Sequence, residues 1–415
     1  MKPHFLAAAE PARSPGLGTG PAAAGLGRLP EAALDLARRW AGEDRLALIV
    51  SGSHAAGDAV WVTHEGRPVS LSDLDVYAVV RDAAAKRAAL ARARAARTGL
   101  GARLLAMGLA APLEVGFHTP ADLAALPARP GTLELRRSGR VVDGDPALRE
   151  VIPSWTAGDV ARDEVWLLLE NRAFELLWAA APEGHDPRRA DLGALKRRHA
   201  VLKCALDLAS VMALSAGEYP GSAAERVAWA RARHDRPPSD HPSSPEPPWD
   251  TALAWRNGQT EALEPGAAAA ERLRTVVAWV ATWRRLAGVP ADPPDPFTGV
   301  GRIARRARLR RRLREALLPD ALVARLRVPG GRIRHALDGT PRHRLNAAAT
   351  ALLMFEASRM TPTAGAGRGV EALGAELRRV LRRLGVASVG PESGAELVRA
   401  WDRGLLDGQR TEDWA

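Results

Sequence analysis

Apolar runs short enough to be buried β-strands occur only in the first third of this 415-residue chain. Leu46–Val50 and Leu74–Val80 are two of them, and Leu113–Phe117 is a third, each bounded by polar or glycine-containing turns. Val141–Val142, between Gly139 and Gly144, adds a short edge strand. Leu29–Trp40 before the first strand has helical spacing, and Ala83–Met107 reads as one long Ala/Arg/Leu helix before the third. After about residue 155 the strand signals stop. Val160–Ala181, Leu192–Ala216, Ala223–Arg233 and Ala268–Leu286 carry the three- and four-residue spacing of amphipathic helices, as do Ile303–Leu317, Leu345–Met360 and Val370–Leu384. No period marks a solenoid. The pattern predicts an α+β fold, a small mixed-sheet domain followed by a larger all-α helical region.

The length suits two or three packed units. Residues 1–27 are rich in Ala, Gly and Pro and read as a loose arm. The sheet domain spans 28–155 and a helical domain 156–235. Residues 236–250 hold six prolines and read as a linker or loop, and 251–415 form a C-terminal helical region. An apolar share of 46% and a charged share of 26% exclude a disordered, collagen-like or disulfide-stapled chain. Cys204 is the only cysteine, so no internal disulfide or thiolate cluster can form. No run approaches the roughly 20 apolar residues of a membrane helix, and Phe5–Ala9 is too short for a signal peptide. The reading is a cytoplasmic protein without a membrane partner. The formal charge of +11 points only weakly to an anionic partner: lysine occurs only at Lys2, Lys86, Lys196 and Lys203, so the excess is arginine, as in a GC-rich coding bias.

The chemistry concentrates between Leu46 and Val80. Asp73 and Asp75 are two apart at the mouth of a strand, which projects both carboxylates from one face. Adjacent ionised carboxylates repel, and a shared proton or a divalent cation relieves them. Hard cations such as Mg²⁺ take oxygen ligands, commonly one or two carboxylates plus substrate phosphates. Upstream, Gly52-Ser53 closes a strand in a turn whose backbone N–H groups can approach an anion. Glu114 opens the third strand; with that strand beside Asp73 and Asp75, three acids converge below a phosphate cradle, a ligand set for two-metal phosphoryl or nucleotidyl transfer.

These residues resemble the nucleotidyltransferase superfamily of the DNA polymerase β type. The likeness rests on Gly52-Ser53, Gly57-Asp58, Ser72-Asp73-Leu74-Asp75 and Glu114, with Arg140–Pro146 similar to the edge strand and Gly-Asp-Pro turn of bacterial members. Arg198–Trp229, with Lys203, Gly217-Glu218-Tyr219-Pro220 and Ser222 to Arg226, is similar to the helical domain that follows. The resemblance covers roughly residues 30–235. It implies that Gly52 and Ser53 hold the triphosphate tail of an NTP, that Asp73 and Asp75 ligate Mg²⁺ or Mn²⁺, and that Glu114 ligates the activating metal or serves as base. It also implies a hydroxyl acceptor that is a small molecule, with RNA or a protein side chain as alternatives; Lys203, on a helix with Val201, Leu202 and Leu206, is by default a snorkelling surface lysine, or else a γ-phosphate ligand from the helical domain. Three features depart from the family: Glu114 stands where Asp is usual, 19 residues separate Ser53 from Asp73, and Ala56 replaces an arginine. Part of that insertion is hairpin-like, with Ala59–Thr63 alternating before a turn at Glu65–Pro68.

Other assignments compete for the same residues. Glu134 is a weaker third acid, Tyr219 is a core tyrosine or a base-stacking one, and His54 is structural rather than a base. The fold could serve as a catalytically inactive binding module. The Arg302–Arg314 block forms a basic helical face, either solvated or a surface for RNA or DNA. No GxSxG, HExxH or Walker A segment is present, and His335 and His343 lack metal-ligand spacing.

Overall fold

The computed structural model describes residues 29–180, 190–234, 246–287, 349–350 and 352–353. The N-terminal arm, Arg302–Arg314, the histidines at 335 and 343, and the helices expected over Ile303–Leu317 and Val370–Leu384 lie outside them.

Helix α1 (Glu31–Ala41) turns Ala33, Leu34, Leu36, Ala37 and Trp40 inward and stops at Gly42, whose φ of 78° suits glycine. Strands β1 (Arg45–Ser51), β4 (Leu74–Val80), β5 (Leu113–His118) and β6 (Arg140–Gly144) build one sheet in the order β5-β4-β1-β6. Strand β1 runs antiparallel to β4 and β6, while β4 and β5 are parallel, so the sheet is mixed. The two central strands are covered on both faces, which is why Leu46–Val50 reads as an unbroken apolar run and Leu74–Val80 as one interrupted only by Asp75. One face, carrying Leu48, Val50, Val76, Ala78 and Phe117, packs on α1 and on α3 (Ala83–Ala95). The other, carrying Ala47, Ile49 and Val79, packs on Leu123 of α5 (Pro120–Ala124), Leu135 of α6 (Pro130–Ser138) and Ile152.

The single helix expected over Ala83–Met107 is two. Helix α3 starts at Asp82, which accepts N–H bonds from Ala84 and Ala85 at 2.9 Å, and ends at Ala95. Helix α4 (Leu100–Ala106) starts afresh behind Gly99 at φ 67°, a left-handed residue that a continuous helix excludes. Between β1 and β4 the chain makes the short helix α2 (Gly52–Ala56) and a hairpin of β2 (Trp61–His64) and β3 (Arg67–Ser70). Glu65 and Gly66 turn it with φ of 47° and 72°.

Beyond β6 and the short α7 (Ala147–Glu150), helices α8 (Arg162–Trp178), α9 (Ala190–Ser215), α10 (Ala223–His234), α11 (Trp249–Arg256) and α12 (Pro265–Ala287) follow. The other four pack around α9. Val201, Leu208 and Val211 of α9 meet α8 and α12, and its Leu202, Ala205 and Leu206 meet α10, α11, the hairpin residues Val62 and Val69, and Leu71 just after the hairpin. The proline-rich segment ends earlier than expected: Trp249 and Asp250 already belong to α11, and the buried Trp249 donates its indole N–H to the Ala205 carbonyl at 2.8 Å. Helices from both sides of that segment therefore share α9. Among the described residues no helix is long and apolar enough to cross a membrane.

Candidate functional site

Parallel pairing of β4 with β5 sets Asp75 opposite Glu114, and antiparallel pairing of β1 with β4 sets Ser51 opposite Asp75. Directly opposed residues share a face, so Glu114, Asp75 and Ser51 form a row across the sheet. Glu114, on the edge strand, is exposed, whereas Asp75 is half-buried. Gly52 follows Ser51 at φ 64°, and a Cβ there would lie 2.6 Å from Asp75 Oδ2. Only glycine lets the backbone pass this close to the carboxylate. Ser53 is the next residue, inside α2.

Asp73 sits one residue ahead of β4 and faces a different partner. Lys203 of α9 reaches across to donate from Nζ to both of its oxygens, at 3.0 and 2.9 Å. The two side chains retain 32% and 22% of their exposure. Burial alone would raise the Asp73 carboxyl, but the charge and hydrogen bonds of Lys203 prevail and hold it well below the usual carboxylate range. Asp75 has the opposite fate. Burial first, then the negative charges of Asp73 and Glu114, push its carboxyl up to about 8 against the pull of Lys203.

Crowded acidic oxygens are the donor type a hard divalent cation takes, and such a cation would displace the proton that Asp75 holds. Among the described residues no group of three or more His, Cys, Asp or Glu side chains is placed to hold a metal ion. With both oxygens of Asp73 on Lys203, Asp75 and Glu114 are the pair left facing each other across the strands.

Neighbouring groups fix the loops that carry these acids. His54 of α2 is buried with Nε2 3.1 Å from Ser70 Oγ and 3.3 Å from the Ser72 carbonyl oxygen, and the Val60 N–H donates to Ser72 Oγ at 3.0 Å. The ring therefore ties the Gly52-Ser53 turn to the loop delivering Asp73, a structural role. Glu134 lies on α6 and accepts from the Tyr219 hydroxyl at 2.5 Å, with Arg226 3.8 Å away. Tyr219 is buried and occupied in joining α6 to the helical layer. Ala56 leaves α2 without a cation, yet Arg256 of α11 donates to Asp58 at 2.7 Å just beyond that helix.

Two contributors escape the sequence reading. Arg172 of α8 pairs with Asp207 at 2.6 Å, and its charge reaches Asp73. His199, one helical turn before Lys203 on α9, accepts from the Trp255 indole N–H through Nδ1 at 3.2 Å. Its four-residue spacing from Lys203 was the one available signal, and that spacing is equally that of a packed helix face. Comparison with protein-family models, with curated proteins and with solved structures returns no match.

Proposed function

We propose that the chain is a divalent-metal-dependent nucleotidyltransferase that moves a nucleoside monophosphate from an NTP to a hydroxyl of a small-molecule acceptor. The observation that carries the reading is the Glu114–Asp75 pair on adjacent strands, with the Gly52 backbone pressed against Asp75. Asp75, Asp73 and Glu114 would hold Mg²⁺ or Mn²⁺. When bound, such ions supply positive charge to the attacking and leaving oxygens of an in-line displacement. Backbone N–H groups at Gly52 and Ser53, with the Ser53 hydroxyl, donate to the phosphate tail. Lys203 exchanges Asp73 for the departing pyrophosphate. Glu114, exposed at the sheet edge, meets the acceptor. The acceptor oxygen bonds to the α-phosphorus, the bond from that phosphorus to the bridging oxygen breaks, and pyrophosphate leaves with the electron pair. The hydroxyl proton passes to a Glu114 carboxylate oxygen.

A second reading, a nucleotide-binding module without turnover, draws on one observation: Lys203 engages both oxygens of Asp73. One experiment separates them. The protein is incubated with each labelled NTP, Mg²⁺ or Mn²⁺, and a crude extract, and the small-molecule, protein and RNA fractions are counted. Label in the small-molecule fraction, lost with Asp75→Asn, supports the transferase; bound NTP with no label in any fraction favours the module.

A further inference from the structure

His199 carries a ring nitrogen with no stated purpose in the fold. Its Nδ1 accepts the Trp255 indole N–H, so the neutral ring must carry its proton on Nε2. That Nε2 is buried and has no hydrogen-bond partner. A buried donor left unmade costs stability, and native proteins hold few of them. The donor is also rigid. The Arg198 guanidinium stacks on Trp255 at 4.9 Å and is itself fastened to Glu271 at 3.1 and 3.2 Å, so the tautomer is set from behind. The charged groups acting on the ring are Lys203, Asp73, Arg256 and Arg172. Three are cations, drawn from α9, α11 and α8, and the one anion already has both oxygens on Lys203. Burial, with those cations, holds the ring's proton affinity down at about 3, so it donates as a neutral group throughout the physiological range.

We infer that His199 is a phosphate-binding residue, donating from Nε2 to the distal phosphates of the NTP beside Lys203, with Trp255 as the positioning residue that fixes the donating tautomer. The inference rests on the nucleotidyltransferase reading. A donor to the distal phosphates distinguishes a triphosphate from a monophosphate, and a neutral one does so without adding charge beside Lys203.

The test is binding of an NTP analogue with a methylene bridge between its α- and β-phosphorus atoms, in Mg²⁺, to the full chain by calorimetry. His199→Phe should weaken the analogue roughly tenfold or more, the worth of one hydrogen bond to a charged group. It should leave the matching monophosphate nearly unaffected, and His199→Gln, which keeps an amide donor at similar reach, should recover most of the loss. Equal weakening of both nucleotides, or an unchanged Kd for the analogue, overturns the role of His199 while the transferase reading stands. Failure of the wild type to bind the analogue overturns both. Should His199→Phe not fold, the wild-type protein decides by nitrogen-15 NMR: the ring is protonated on Nε2, and that proton's resonance moves with the analogue and not with the monophosphate. A stationary resonance overturns the inference.

Discussion

Replacing Asp75 by Asn removes a carboxyl that the native state can ionise only at a cost. In the unfolded chain this group titrates near 3.8, and in the fold at about 8, because burial and the charges of Asp73 and Glu114 oppose ionisation. Between those values the native protein holds a proton that the unfolded chain has released, so stability declines as pH rises, by about 1.4 kcal/mol per pH unit. By pH 7 the wild type has lost on the order of 4 kcal/mol relative to pH 4 from this one group, a ceiling that water entry and side-chain relaxation lower. Asn has no such titration and nearly the shape of the protonated acid. In chelator-treated buffer Asp75→Asn should match the wild type near pH 4 and exceed it progressively toward pH 8, measured by urea unfolding at intervals across that range. Millimolar Mg²⁺ should stabilise the wild type and not the variant, and nucleotide transfer should vanish in the variant. A stability difference that stays constant with pH, or a variant less stable at pH 8, would refute the claim that neighbouring charge loads Asp75.

Asp73→Asn should act in the opposite sense: it strands the Lys203 ammonium and costs about 1–2 kcal/mol near neutral pH, intermediate between exposed and buried pairs. Because the Asp73 carboxyl is held low, that difference is present above the ordinary carboxylate value and fades as pH falls below it, which the same urea series reads. Gly52→Ala places a methyl 2.6 Å from Asp75 Oδ2 on a backbone at φ 64°, so unfolding should become easier by about 1–2 kcal/mol and Mg²⁺-dependent transfer should fall further than stability alone explains. Calorimetric Mg²⁺ binding and label transfer check this, and a fully active, equally stable variant excludes the close approach. Arg256→Met frees Asp58, and hydrogen exchange at residues 53–60 should quicken while exchange in β4 and β5 stays slow; uniform rates across all three segments reject a role for this ion pair in holding the turn.

The sheet is legible in the sequence because its central strands are covered on both faces, so Leu46–Val50 appears as an unbroken apolar run and Leu74–Val80 as one broken only by Asp75, each between turn residues. The break at Gly99 is harder to see, since alanine and arginine on both sides favour helix and only the left-handed φ of one residue ends it. Trp249 hides for a related reason: the six prolines just before it mask a helix held by a tertiary hydrogen bond to Ala205 rather than by local propensity. The spacing of Asp73 and Asp75 places both at the site, and a period of two assigns them equal roles. What separates them is α9, which crosses the site so that Lys203, 130 residues away in sequence, hydrogen-bonds both oxygens of Asp73 and acts on Asp75 only through its charge. One aspartate then becomes a stable anion and the other a reluctant one, although the local sequence treats them alike. Electrostatic identity at such a site belongs to the packing of distant helices. A strand pattern reports which carboxylates can meet, and α9 decides which of them is held as an anion.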